Sequence, residues 1–114
     1  MDNNLRNTLL LDLYGKLLTE KQYDVLDLYY NNDYSLSEIG ELLKISRQGV
    51  RDNIKRGEES LFKYESALLL LEKHMDKLEK IKKINDLVDD IDKICKDFEK
   101  TKLLKALVKQ LFDN

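Results

Sequence analysis

The sequence predicts an all-α fold, in which a helix-turn-helix domain precedes a long C-terminal helical arm. The 114 residues include no proline and only four glycines, so residues that break helices are rare. Two helix-capping boxes, which begin at Thr19 and Ser35, each precede an apolar helical pattern. From Ile81 onward, apolar residues recur every three or four positions. We place the helix-turn-helix domain at residues 1–65 and the arm at residues 66–114.

Two helices are expected before the helix-turn-helix, at about residues 4–18 and 20–30. In the first, the residues expected on one apolar face are Leu5, Leu9, Leu10, Leu13, Tyr14 and Leu17. In the second, which follows the Thr19 cap, the expected inward set is Tyr23, Leu26, Tyr29 and Tyr30. Tyrosines at helical spacing can stack on bases, but they are more often core residues with an exposed hydroxyl, and we interpret these as core.

The residues from Leu36 to Arg56 have the pattern of two helices joined by a tight turn. Ser35 and Glu38 form the capping box of the first helix, whose expected apolar face is Leu36, Ile39, Leu42 and Leu43. Gly40 lies between these residues and would allow a second helix to approach closely. Residues 44–46 form the turn, with Ile45 buried and Ser46 as the N-cap of the next helix. That helix directs Val50 and Ile54 inward and continues beyond them.

Arginine is concentrated at the start of this second helix. Three of the four arginines in the chain lie between residues 47 and 56, and every other cation except Arg6 is a lysine. The arginine fork can donate two parallel hydrogen bonds to a guanine edge or a phosphate, which lysine cannot do. The alternative is a solvated helix face with ion pairs along the helix. We favour nucleic-acid binding, with a site formed by Ser46, Arg47, Gln48, Arg51, Asn53, Lys55 and Arg56.

The overall charge limits how tightly one copy of the chain could bind a polyanion. The net charge is −2, and residues 47–56 are locally basic, with four cations against Asp52. A patch of this size supplies few phosphate contacts, so binding by a monomer should be weak and sensitive to salt. A homodimer or a partner protein would strengthen it.

The arm has the pattern of helices that need a partner surface. The heptad positions are Ile81, Ile84, Val88, Ile91, Cys95 and Phe98. Thr101 is a possible cap for a last helix, whose apolar stripe begins at Leu103, and Asn85-Asp86 could divide the arm. These stripes could pack within the chain or between two copies, and a homodimer is expected.

Composition argues against several other classes of protein. No apolar run is long enough to span a membrane, and the first residues lack a secretory signal pattern, so a cytoplasmic location is expected. The single His74 and single Cys95 offer neither a metal-ligand set nor a convincing nucleophile pair. No glycine-rich phosphate loop is present. We therefore expect no enzyme activity, no catalytic residues, no metal and no cofactor.

The segments LLTEKQ (17–22), DLYYNNDYSLSEIGELL (27–43) and ISRQGVRDNIKRGEESLFKYE (45–65) resemble the YlxM family of small bacterial helix-turn-helix proteins. LLLLEK (68–73) fits the same family, and the chain beyond about residue 83 matches it only in helical, charged character. The helix-turn-helix is also similar to the fourth region of bacterial sigma factors. The resemblance implies an all-α DNA-binding domain and, because such genes usually neighbour that of the signal recognition particle GTPase, a regulatory link to that particle.

The sigma-like comparison also implies roles for individual residues. Ser46, Arg47, Gln48 and Arg51 would face base edges, and Lys55 and Arg56 would reach phosphates. Two positions depart from the pattern. Lys44 replaces the common turn glycine, which is tolerable if this residue need not adopt a left-handed conformation. Arg51 stands where the family often has an aromatic residue.

Three readings of function remain open at this stage. The chain is either a regulator that binds duplex DNA or an RNA-binding accessory factor that contacts the RNA of the signal recognition particle, with a protein of that particle as a further candidate partner. The third is a non-catalytic helical protein-interaction module, in which the arm docks a partner and the helix-turn-helix is a scaffold. The sequence does not supply a target sequence.

Overall fold

A computed structural model describes residues 2–95 and 98–113, which are almost entirely helical and confirm the all-α prediction. The α-helices are α1 (Asn3–Tyr14), α2 (Glu20–Tyr30), α3 (Leu36–Leu43), α4 (Arg47–Leu68), α5 (Leu70–Cys95) and α6 (Phe98–Asp113). A short 3-10 turn, Gly15–Leu17, follows α1, so the first α-helix is shorter than expected. The chain divides into two compact units, Met1–Leu71 and Glu72–Asn114.

Both predicted capping boxes are present. The Thr19 hydroxyl accepts from the Gln22 backbone N–H at 3.1 Å, and the Gln22 side chain accepts from the Thr19 N–H at 3.3 Å. Ser35 and Glu38 make the same reciprocal pair, with both distances 3.1 Å. Each box satisfies backbone donors that have no partner within the first turn of the helix. The starts of α2 and α3 are therefore determined locally by the sequence.

The core of the first unit joins α1, α2, α3 and α4. Its fully buried side chains, with at most 2% of their surface exposed, are Leu10, Leu11, Tyr14, Val25, Leu26, Ile39, Val50 and Leu61. The glycine at position 57 lies against α2, because a Cβ there would come within 2.7 Å of a Leu26 methyl. The absence of a side chain at Gly57 lets α4 pack closely on α2, which outweighs the helix-propensity cost of glycine.

Several inward assignments from the sequence are wrong. Leu11 and Val25 are buried in addition to the predicted Leu10, Tyr14 and Leu26, whereas Leu5, Leu13 and Leu17 are 41–56% exposed. The expected core residues Tyr23 and Tyr29 are each 39% exposed, and Leu42 is 56% exposed. The reason is that α1 packs against both α2 and α4, and α2 packs against α1, α3 and α4, so the buried side of each helix is not a single regular stripe.

Polar contacts also tie the helices of the first unit together. The Tyr30 hydroxyl donates to the Glu58 carboxylate, which links α2 to α4. Burial of Tyr30, together with this hydrogen bond, raises the pKa of its phenol above the ordinary value. The Arg6 guanidinium lies over the Phe62 ring, with 5.6 Å between Cζ and the ring centroid. The one arginine outside the basic segment thus helps to pack α1 on α4.

The second unit contains most of α5 and all of α6, which pack as an antiparallel helical hairpin. The Lys105 ammonium pairs with the Asp89 carboxylate, and the Thr101 hydroxyl donates to Asp92 at 2.5 Å. Val88 and Val108 are buried at 2% and 4% exposure. The ion pair with Asp89 raises the pKa of Lys105 above its ordinary value.

Two expectations about the arm are wrong and one lies partly outside the described residues. Thr101 is inside α6 rather than at its start, and it bonds across the hairpin. Asn85-Asp86 does not break α5, which is continuous from Leu70 to Cys95. The predicted seam includes the side chains of Cys95 and Phe98, which lie outside the described residues. Within the described ranges, no helix is long and apolar enough to cross a membrane.

Candidate nucleic-acid interface

The helix-turn-helix is formed by α3, a three-residue turn and the first half of α4. The Lys44 and Ile45 backbone N–H groups both bond to the Gly40 carbonyl, which closes α3. Lys44 adopts the left-handed conformation, with φ 59° and ψ 44°. Lysine was expected to be tolerated here only if it did not have to be left-handed. Because Lys44 is left-handed, its backbone is strained, and the turn forms despite that strain.

Gly40 is required by the turn. A Cβ at this position would lie 2.8 Å from the Ile45 carbonyl oxygen, closer than real Cβ atoms approach, and 3.7 Å from a Val50 methyl. The close approach predicted from the sequence is real, but the nearest atom belongs to the turn rather than to the second helix. This contact fixes the direction in which the chain leaves α3.

Apolar contacts then orient the start of α4. Val50 is fully buried with Val25 and Ile39, and Ile45 and Ile54 pack against this cluster while partly exposed. The prediction that Val50 and Ile54 face inward is thus confirmed. Ile45 was expected to be buried and is only half-buried. Ser46 caps the helix, since its hydroxyl accepts from the Gly49 N–H at 2.9 Å.

The basic side chains of α4 lie on its solvent side. Arg47, Gln48, Arg51, Lys55 and Arg56 are all exposed. At about 100° per residue, Gln48, Arg51 and Lys55 form one stripe, roughly 120° around the helix from Val50 and Ile54. The Arg47 position lies at one side of this stripe and Arg56 at the other. The structure therefore brings the predicted cations onto one broad convex face.

Among the residues that the structure describes, no carboxylate pairs with these cations. Across residues 2–95 and 98–113, no acidic group forms a salt bridge with the side chains of Arg47, Arg51, Lys55 or Arg56. The Asp52 carboxylate instead accepts from the Gln48 amide at 3.1 Å. The ion-paired helix face that was the alternative interpretation does not form among the described residues. A cluster of unneutralised cations attracts an anionic ligand such as a phosphate backbone.

Besides Gln48, whose amide bonds to Asp52, two of the predicted site residues already use their side chains within the helix. The Asn53 amide is half-buried and donates to the Gly49 carbonyl at 2.8 Å. The Ser46 hydroxyl is the N-cap described above. A structural role is therefore evident for both, and a hydroxyl that accepts one hydrogen bond can still donate to a phosphate.

Lys44 adds a cation to this surface that was not among the predicted site residues. This exposed lysine follows α3 directly and lies three residues before Arg47. Lys44 stands where a turn glycine is common, and its charge adds to that of the α4 cations. A count of cations from residue 44, rather than from residue 47, would have included it.

Other candidates for chemistry are separate from this surface. His74 is exposed on α5. A search of the described residues finds no group of three His, Cys, Asp or Glu side chains close enough to hold a metal ion. The Glu38 carboxylate has a lowered pKa, because it accepts from the Ser35 backbone N–H and lies beside the Ser35 hydroxyl.

Comparison with known proteins gives the same architecture. Residues 1–113 match the family model described as UPF0122, "Putative helix-turn-helix protein, YlxM / p13 like". A UPF0122 protein of Acetivibrio thermocellus is 45% identical over 111 residues, which cover 97% of this chain and 95% of the relative. One from Caldanaerobacter subterraneus subsp. tengcongensis is 55% identical over 80 residues, covering 70% and 68%. One from Clostridium kluyveri is 56% identical over 72 residues, covering 63% and 65%. The chain therefore belongs to the UPF0122 family of YlxM/p13-like helix-turn-helix proteins.

Proposed function

We propose that this chain is a regulatory protein that binds duplex DNA through the first half of α4. The observation that carries the proposal is the set of four exposed, unpaired cations between residues 47 and 56, on a helix oriented by the helix-turn-helix. The whole chain has a net charge of −2, whereas residues 47–56 carry +3, so the rest of the chain carries −5. This makes the α4 cluster the natural point of attraction for a polyanion.

The shape of the site favours DNA over duplex RNA. The cations project from a single helix, and an α-helix fits the major groove of B-form DNA. The major groove of A-form RNA is too deep and narrow to admit one. An RNA-binding accessory role would have to use loops or the basic face alone, so signal recognition particle RNA is the alternative target.

Within this proposal the side chains divide by position. Arg47, Gln48 and Arg51 lie near the helix N-terminus and would read base edges, while Lys55 and Arg56 lie farther along and would reach phosphates. Ser46 supports the first group through its cap and Asn53 through its bond within the helix. Because one copy supplies few phosphate contacts, we propose that the protein acts as a homodimer. We also propose that it acts in the cytoplasm.

The link to the signal recognition particle rests on the resemblance described from the sequence and is part of the proposal. A second function, a non-catalytic protein-interaction module, is favoured by one observation in the second unit. Several large apolar side chains of α5 and α6 are exposed, among them Ile94 at 80% and Leu103 at 62%. In that case the helix-turn-helix would be a scaffold and a partner, such as a signal recognition particle protein, would bind the hairpin.

A variant with Arg47, Arg51 and Arg56 all replaced by Ala tests the proposed function. Fluorescence anisotropy would be measured with a labelled mixed-sequence DNA duplex and with labelled signal recognition particle RNA, at several salt concentrations. We expect the parent to bind the duplex and the variant to lose at least about tenfold in affinity. The slope of log K against log salt should become shallower by about one for each phosphate contact removed.

A matched control removes the same charge from other parts of the first unit. Lys16, Lys21 and Lys63 are exposed, and replacing all three by Ala should leave binding nearly unchanged. Equal loss of affinity in both variants would show non-specific attraction only. Undiminished binding by the arginine variant would overturn the assignment of α4, and tighter binding of the RNA than of the duplex would overturn the choice of DNA.

A further inference from the structure

The α5–α6 hairpin carries a second apolar stripe on each helix, apart from the stripe that joins the two helices. On α5, the inward side chains are Val88, buried, and Ile81, half-buried, and Asp92 is also turned toward α6. The outward stripe is Leu87, Ile91 and Ile94, with exposures of 62%, 48% and 80%. At about 100° per residue, this stripe lies roughly 120° around the helix from the inward one.

A matching stripe lies on α6. Its inward residues are Thr101 and Val108, at 7% and 4% exposure. The outward stripe is Leu104, Leu107 and Leu111, which are 41%, 50% and 56% exposed and are spaced by three and four. It lies about 80° from the inward side of its helix.

The two outward stripes open on the same side of the hairpin. The contacts of Asp89 with Lys105 and of Asp92 with Thr101 show that the helices are antiparallel. On each helix, viewed from its own N-terminus, the outward stripe is rotated from the inward stripe in the same direction. Because the two helices are antiparallel, this places both outward stripes on the same face of the hairpin. The hairpin therefore presents a single two-helix apolar surface, which we call the hairpin face: Leu87, Ile91, Ile94, Leu104, Leu107 and Leu111.

We infer that the hairpin face is the dimer interface, and that a second copy of this chain covers it to form a four-helix bundle. This names the surface of the homodimer proposed above. Six aliphatic side chains that are 41–80% exposed leave several hundred Å² uncovered, which is comparable to the largest apolar patch of a typical monomer, about 300–600 Å² and often functional, and is a large part of the roughly 800 Å² that each partner of a stable dimer buries.

Both charge and spacing favour a second copy as the partner. Residues 72–114 contain eleven lysines and ten acidic residues, so two copies do not repel each other strongly. A two-fold interface must be self-complementary. Here a stripe with two isoleucines on one helix and a stripe of leucines on the other share the spacing of three and four that lets helices interlock in bundles.

The oligomeric state of the full chain tests this inference without any nucleic acid. Light scattering after size exclusion, at about 100 μM protein, should give the mass of two chains for the parent. Leu107→Glu should give the mass of one chain with the helical circular dichroism of the parent. The control Leu5→Glu alters a leucine of similar exposure, 53%, on the other unit and should remain dimeric.

A monomeric parent would overturn the inference, whether or not any variant folds. A dimeric Leu107→Glu, or a dissociated Leu5→Glu, would also overturn it by placing the interface elsewhere. Binding of a different protein to a monomeric parent would instead support the interaction-module function. Because the proposed function is tested by DNA affinity and the interface by mass, a failure of one is distinguishable from a failure of the other.

Discussion

The Tyr14 hydroxyl donates a buried 2.6 Å hydrogen bond to the Glu65 carboxylate, which joins the end of α1 to the last turns of α4. The same carboxylate oxygen accepts from the Leu71 N–H at 3.0 Å, and the Leu70 N–H donates to the Tyr14 hydroxyl at 3.1 Å. The two side chains thus cap the first turn of α5, where backbone donors lack helical partners and a negative charge is favourable. They hold the backbone corner at Leu69, which is left-handed with φ 55°.

We predict that Tyr14→Phe lowers the free energy of unfolding by about 1.5–3 kcal/mol, since it removes a hydrogen bond to a buried charged group and leaves the Leu70 N–H without its acceptor. Urea unfolding monitored by circular dichroism measures the change. Tyr64→Phe is the control, because the Tyr64 hydroxyl makes only an exposed 3.3 Å bond to the Leu17 carbonyl. Equal effects of the two changes would contradict the account.

Alkaline pH should weaken the same corner. Burial, followed by the Glu65 hydrogen bond, raises the pKa of Tyr14 above its ordinary value of about 10. A group whose folded pKa is raised contributes stability that is present below the unfolded pKa and is lost as pH rises through the folded one. Stability should therefore fall above about pH 10, and less steeply in Tyr14→Phe. A parallel decline in both proteins would contradict this.

Lys44→Gly should stabilise the protein by about 0.5–1 kcal/mol. The left-handed conformation of Lys44 costs a non-glycine residue roughly 1–2 kcal/mol, from which the greater backbone entropy of glycine in the unfolded chain is subtracted. Thermal unfolding gives the sign directly. Lys63→Gly, an exposed position inside α4, should destabilise by about 1 kcal/mol instead. A destabilising effect at position 44 would show that lysine makes a compensating contact.

Gly40→Ala should destabilise the protein by about 1–3 kcal/mol, although alanine is the better helix former. The added Cβ would be 2.8 Å from the Ile45 carbonyl oxygen, and a backbone atom in a tight turn cannot move aside easily. Chemical denaturation compares it with Ser37→Ala, an exposed change on the same helix that should stay within about 0.5 kcal/mol. A stable Gly40→Ala would contradict the turn geometry.

The cap of α3 should weaken in acid. Because the pKa of Glu38 is lowered in the folded state, its carboxylate contributes to folding stability above the pKa of a glutamate in the unfolded chain. This stability is lost as pH falls through the folded pKa. Glu38→Gln keeps an oxygen that can accept from the Ser35 N–H, so it should reduce this acid sensitivity while preserving the helix. Carboxyl NMR titration of Glu38 checks the direction, and a raised pKa would contradict it.

Local signals in the sequence predicted the starts of α2, α3 and α4 and the orientation of α4 correctly. Thr19, Ser35 and Ser46 each act on backbone groups within three residues, and such contacts do not depend on the rest of the fold. The burial of Val50 followed from its spacing with Ile54. The conformation of Lys44 did not follow, because the cost of a left-handed lysine is smaller than the gain from the packing it permits.

Contacts distant in sequence account for most of what was missed. Glu65 was an ordinary helix glutamate until the fold placed it beside Tyr14, 51 residues away. The role of Gly57 depends on Leu26 of a different helix, and Thr101 bonds to Asp92 rather than capping a helix. The periodicity of a single segment does not predict these contacts, because each one joins residues of two different helices. Which cations of the interface lack a carboxylate partner likewise depends on the folded positions of the acids.

The most direct test of the central claim is a backbone amide NMR titration of the full chain with a short mixed-sequence DNA duplex at low salt. A mixed sequence suffices because phosphate contacts do not depend on base identity. We predict that the largest shift changes fall on residues 44–56, with those on residues 72–95 and 98–113 much smaller. Shift changes concentrated on α5 and α6, or spread evenly over both units, would contradict the assignment of α4 as the DNA-binding helix.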